Sequence, residues 1–205
     1  TWACLSLSLL KLQQRNGQLN KAISAFIFIT VLKCIAFIPL GLASDSISCI
    51  DGFCEDVPIG NVDGTALSLN IAFPKESAST TRPVVVLIHG GGFISGDKAS
   101  KNRQIKKLAT LGFVAVSAEY RLAPEHRFTK SIADIKLAMR FLKANAKRYH
   151  INPERIIVSG SSAGSYLAVM VGVTGNAEGF SDYELYTEFD DTVRAVSSQS
   201  APIWN

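Results

Sequence analysis

The sequence predicts an α/β fold, a mostly parallel sheet flanked by helices. Three observations predict it. From about residue 55, apolar runs rich in β-branched residues alternate with stretches of helical period. The run 83–88 is continuously apolar rather than alternating, which suits a strand buried on both faces of a parallel sheet. Two glycine-bearing motifs follow such runs, at the carboxyl ends of strands where open α/β sheets bind ligands.

Taken in order, residues 66–73 alternate like a half-exposed strand, and 75–82 form a polar loop rich in Ser and Thr. The buried strand 83–88 follows, then a helix over 101–111, stopped by Gly112. Residues 113–118 read as the next buried strand. A longer helix is expected over 131–149, with Ile132, Ile135, Leu137, Met139 and Leu142 as its apolar stripe. A strand over 155–159, a helix over 162–173 and a strand over 193–198 complete the pattern.

The chain has 205 residues, 47% of them hydrophobic, enough for the core of one domain and too apolar for a disordered chain. The net charge of +4 is mild, and Lys106, Lys107, Lys143, Lys147 and Arg148 are scattered. They read as solvated helix faces, so no nucleic-acid partner is expected.

Residues 22–43 are almost wholly apolar, with Lys21 before them and Gly41-Leu42-Ala43 at their end. Basic start, apolar middle and small-residue ending are the parts of a secretory signal, with cleavage expected after Ala43 and a secreted or periplasmic product. The alternative is an uncleaved membrane anchor, the one route by which the chain would meet a membrane. Lys33 in mid-run opposes it, at about 3 kcal/mol on insertion scales. Residues 1–43 are thus read as leader-like, with 1–20 as a spurious extension, and 44–205 as the N-terminal portion of a hydrolytic domain. Export would carry Cys49 and Cys54 into an oxidising compartment, where they are candidates for a disulfide; small free hydrophobes are the alternative. No spacing of Cys, His or acidic residues suggests a metal, and no cofactor is implied.

Gly160-Ser161-Ser162-Ala163-Gly164 matches G-x-S-x-G between a strand and a helix, the frame a nucleophile elbow requires. Ser162 is the candidate nucleophile, and Gly160 and Gly164 relieve the crowded turn. His89-Gly90-Gly91-Gly92-Phe93 follows the strand 83–88 and has the HGGG form of an oxyanion loop. The N–H groups of Gly91, Gly92 and Ala163 would then bind the oxyanion; one such donor is typically worth about 100- to 1,000-fold in rate.

On these two motifs, on 119–126 (Glu119-Tyr120-Arg121-Leu122-Ala123-Pro124-Glu125-His126) and on Asn152-Pro153-Glu154-Arg155, the chain resembles one branch of the α/β-hydrolases. That branch holds hormone-sensitive-lipase-like and acetyl-esterase-like enzymes, and the resemblance covers roughly residues 56–204. It implies hydrolysis of a small-molecule carboxylic ester through an acyl-enzyme. It also implies that His89, Tyr120 and His126 are scaffold. Ser161 and Ser165 depart from the family elbow, which usually reads Gly-Asp-Ser-Ala-Gly-Gly.

Serine needs a base, and the fold orders its triad Ser, acid, His along the chain. The three histidines, 89, 126 and 150, all precede Ser162. Asp182, Asp190 and Asp191 lie too early to match the family acid and read as a surface loop. The absent initiator Met and the close of the chain after a strand lead to the expectation of a C-terminally truncated hydrolase, inactive alone. Two alternatives stay open: an amidase or peptidase on the same fold, and a catalytically inactive binding protein.

Overall fold

Among the described residues a single seven-stranded sheet organises the fold, in the order β1-β2-β3-β5-β4-β6-β7. The computed structural model describes residues 49–75, 80–177, 179–180 and 183–200. The leader, its cleavage point after Ala43 and Asp182 lie outside the described residues.

The strands are β1 (Cys49–Ile50), β2 (Phe53–Val62), β3 (Thr65–Ala72), β4 (Arg82–Ile88), β5 (Val114–Ala118), β6 (Ile151–Ser161) and β7 (Ala195–Gln199). The helices are α1 (Asn102–Ala109), α2 (Phe128–Ala144) and α3 (Ala163–Val173). β5, β4, β6 and β7 pair in parallel, the arrangement expected of the continuous apolar run 83–88 in β4. β1, β2 and β3 join them antiparallel, so the described sheet is mixed.

Two Asp-Gly turns explain the antiparallel part. Asp51-Gly52 and Asp63-Gly64 both have positive φ at both residues, the requirement of a two-residue type I′ hairpin. The first joins β1 to β2, and a disulfide between Cys49 and Cys54 staples the pair just outside it.

Alternation along the strands sorts the core into two faces. Val84, Val86, Ile88, Val114 and Val116 join Ile132, Ile135, Leu137 and Leu167 in the cluster that α2 and α3 cover. Ala115 and Leu87 point the other way, towards Ile105, Leu108 and Ala109 of α1. A cavity of about 390 Å³ opens on that α1 face beside β4, β6 and β7, lined in part by Lys101, Ser159, Gly160 and Gln199.

Three expectations need correction. The first strand expected was 66–73, whereas β2 precedes it and supplies ten residues next to the sheet border, with Val57 and Ile59 fully buried. α2 ends at Ala144, not Tyr149. Tyr149 instead turns back to pack on Phe73 and Phe141 at centroid distances of 5.9 and 6.1 Å, so its apolar ring serves a turn rather than a helical stripe. Finally, the surface-loop reading fails at Asp191: it is only 3% exposed, and its carboxylate lies 3.4 Å from the buried Lys136 ammonium.

Asp190 is half-buried and accepts from Lys143 Nζ at 2.6 Å and from the Thr192 N–H and hydroxyl. Burial alone would raise its carboxyl; Lys143 and Thr192 outweigh that and hold it at about 2. A depressed native pKa stabilises the fold above the unfolded value near 4 and is lost as pH falls towards 2. The thermal midpoint, followed by circular dichroism from pH 5 to pH 2, should fall more steeply for the native protein than for Asp190→Asn. Parallel curves would show that the pair contributes nothing.

Candidate active site

Parallel register puts the two motifs side by side. Ile88 pairs with Gly160, so the loop after β4 and the turn after β6 leave the sheet at adjacent points. Ser162 sits in that turn at φ 55°, ψ −124°, a region costly for a residue with a side chain. Its N–H donates to Gln199 O at 3.0 Å, and its carbonyl accepts from Ser165 and Tyr166.

The glycines around it are required by space. A Cβ at Gly160 would lie 2.2 Å from Gly164 O. One at Gly164 would meet Ile88 O at 2.4 Å and His89 O at 2.3 Å. One at Gly90 would lie 2.8 Å from Ser161 O and 3.3 Å from Ser162 Cβ. The loop and the elbow therefore touch backbone to backbone.

The loop itself is wound by Gly91, Gly92 and Phe93, all at positive φ. Gly91 O turns inward and accepts from Ile94 N–H, Ser95 N–H and Ser95 Oγ at 3.0–3.1 Å. The N–H groups of Gly91 and Gly92 donate no hydrogen bond among the described residues. Ala163 opens α3, so its N–H has no acceptor one turn earlier within the helix. Phe93 and Phe128 both meet Tyr166 edge-on, at 5.9 and 6.4 Å, and form an aromatic wall beside the elbow.

His89 is buried at 1% exposure. Its Nδ1 donates to Gly90 O at 2.8 Å and its ring stacks on Tyr120 at 4.3 Å. Tyr120 Oη donates to His89 O at 3.0 Å, and burial pushes the phenol pKa up, which keeps it a donor. Glu119 Oε1 lies 3.7 Å from His89 Nε2, within electrostatic reach but beyond a hydrogen bond. Burial alone would raise the Glu119 carboxyl; His89 and Lys98, the latter at 3.2 Å, hold it below the ordinary carboxylate range.

The BD-FAE family model matches residues 69–203. The chain belongs to the BD-FAE family. Esterase LipC of Mycobacterium tuberculosis is 32% identical over 135 residues, covering 65% of this chain and 33% of the relative. Arylacetamide deacetylase of Oryctolagus cuniculus is 34% identical over 122 residues, covering 57% and 31%. The apo form of Thermogutta terrifontis esterase 2 superposes with a TM-score of 0.64 at 28% identity, over 73% of this chain and 55% of that one. A further structure of that esterase, phosphonylated by cyclosarin, has a TM-score of 0.63 at 28% identity, over 69% and 54%. The chain shares the α/β-hydrolase fold of these esterases. It spans about a third of the length of the two curated relatives and about half that of the solved structures.

Within this BD-FAE chain none of the three histidines hydrogen-bonds Ser162 among the described residues. His89 faces away into its own loop, bonded to Gly90. His150 O accepts from Arg82 N–H at the start of β4, so it lies at the opposite end of a seven-residue strand, about 20 Å from the elbow. His126 is anchored through its backbone to Leu122 and makes no hydrogen bond to Ser162 among the described residues. Sequence reasoning missed Lys98 and Lys101, whose side chains reach Glu119 and Ser161. Their spacing on a short 3₁₀ turn after the glycine loop was the available signal.

Gly164→Ala should destabilise the fold by roughly 1–3 kcal/mol, because the new methyl would meet backbone oxygens that have nowhere to go. Gly64→Ala has open space but φ +81°, and should cost only about 1 kcal/mol. Urea midpoints of both variants check the order; a larger loss at Gly64 would mean the close approach is not a true constraint.

Proposed function

We propose that the protein is a serine carboxylic-ester hydrolase with Ser162 as nucleophile. The observation that carries this reading is the strained Ser162 backbone held against the Gly90–Gly92 loop. Ser162 Oγ attacks the acyl carbonyl, and the N–H groups of Gly91, Gly92 and Ala163 receive the oxyanion. The intermediate collapses to an acyl-enzyme with loss of the alcohol, and water then releases the acid. The proton acceptor comes from outside the described residues. Phe93, Phe128 and Tyr166 give the site an apolar wall, which favours acyl or aryl groups over charged ones. No cofactor takes part.

The relatives support the reading: one is an esterase by name, and the esterase solved as its phosphonylated form carries the mark of an electrophile. Amide hydrolysis is a second reading, favoured by the arylacetamide deacetylase among the relatives. The Cys49–Cys54 disulfide supports export to an oxidising compartment.

The full-length protein should cleave p-nitrophenyl esters, and Ser162→Ala should lower kcat/KM by at least about 1,000-fold. Retained activity in the variant would sink the nucleophile. A matched panel of acyl esters and acyl anilides separates the two readings: faster turnover of anilides would favour the amidase. A folded full-length protein that cleaves neither would favour the catalytically inactive binding protein.

A further inference from the structure

We infer that Lys101 is a positioning residue that fixes the two halves of the oxyanion site relative to each other. The inference rests on Ser162 being the nucleophile. Lys101 Nζ donates to Ser161 Oγ at 3.0 Å, across sixty positions of sequence. Ser161 immediately precedes the nucleophile, and its carbonyl is the atom against which Gly90 packs.

Lys101 ends the 3₁₀ turn Lys98–Lys101, separated by four residues from the glycine loop 89–93. That turn is itself secured. Asp97 Oδ1 caps it by accepting from Ser100 N–H at 3.0 Å, and Lys98 Nζ is held by Glu119 at 3.2 Å and Asp56 at 2.9 Å. Ser117 Oγ donates to Lys98 O at 2.7 Å. Lys101 therefore projects from a fixed base, and its ammonium joins the segment carrying Gly91 and Gly92 to the elbow carrying Ala163. On the far side of the elbow, the hydroxyl of Ser165 lies 2.6 Å from that of Ser198 on β7. Ser161 and Ser165, the two elbow positions that depart from the family pattern, are thus both tied, one to each flank. The strained Ser162 conformation persists only where its surroundings over-determine it, and these two bonds are part of that determination.

Oxyanion donors act only within a few tenths of an ångström, and a misplacement of about 1 Å can cost 100-fold in rate. Loss of the Lys101 tether should therefore lower kcat and leave KM nearly unchanged, since ground-state binding does not use it.

The test uses the full-length protein with Lys101→Met, Lys101→Arg, Ser161→Ala, Ser161→Asp and the Lys101→Met/Ser161→Ala double variant. Ester turnover is measured beside the rate of phosphonylation by a fluorophosphonate probe, and thermal midpoints report folding. Lys101→Met and Ser161→Ala should each lower kcat roughly 10- to 100-fold with KM within about twofold. The double variant should match the worse single within about twofold, because one bond is lost only once. Lys101→Arg and Ser161→Asp, which keep a donor or offer a stronger acceptor, should retain most of the native kcat. Native kcat in a folded Lys101→Met, multiplying losses in the double variant, or a loss that falls on KM would overturn the inference. If Lys101→Met does not fold, the Ser161 pair decides: equal loss in Ser161→Ala and Ser161→Asp overturns it. A native protein that takes up no probe overturns the nucleophile reading and the tether with it. Labelled native protein with equally fast labelling of Lys101→Met overturns the tether alone.

Discussion

The close approach of Gly164 to the carbonyls of Ile88 and His89 is the contact on which the site depends. It sets how far α3 can stand from the carboxyl end of β4. A side chain there would push the elbow off the glycine loop, and the N–H groups on the two sides would no longer face one point. The same contact explains why β4 and β6 must be parallel neighbours in register. Only then do Ile88 and Gly160 end together. The chemistry of the site is therefore a consequence of sheet registry, expressed through three positions too crowded for any Cβ.

Around this contact the protein spends polar groups on rigidity. Arg121 reaches Asp134 of α2 with Nε and Nη2 at 3.0–3.2 Å, and Asp63 in the β2–β3 turn with Nη1 at 2.8 Å. Tyr183 Oη adds a bond to Asp134 at 2.9 Å. Buried ion pairs gain little over apolar packing, but an unpaired buried charge is costly. Such a network consequently disfavours every arrangement in which the loop after β5 leaves α2. That loop carries Tyr120, which supports His89 from below, so the order propagates from Asp134 to the oxyanion loop through a continuous set of contacts.

Much of this was legible from residue pattern. β4 holds the unbroken apolar run 83–88, β5 and β6 hold the shorter runs 114–116 and 156–158, and both motifs sit in the strand-turn contexts their glycines imply. β2 was hidden for a physical reason. Its ladder slips between Cys54 and Val57 and again between Pro58 and Gly60. Each slip breaks the period-two alternation by which a strand is read, and Pro58 reads as a breaker. The Asp63-Gly64 turn was the surviving signal of the hairpin. In the site, Ser162 and its glycines are local in sequence, whereas Lys101–Ser161 and Ser165–Ser198 are long-range pairings of common polar residues. Composition carries no trace of such pairs, because any Ser or Lys on a surface helix looks the same until the fold places it.

The disulfide hairpin at the other end of the sheet bears on assembly. β1 is two residues long, and Cys49 and Cys54 lock it to β2 across a turn. A staple around so short a loop adds less to global stability than one that closes a long loop. β1 pairs with only Phe53 and Cys54 of β2, so the ladder beyond them has no strand on its outer side among the described residues. β7 is exposed along its whole length, and its described partner lies on one side only. Among the described residues the sheet is thus extensible at both borders, and the staple shortens the free ladder only at the Cys54 end of β2.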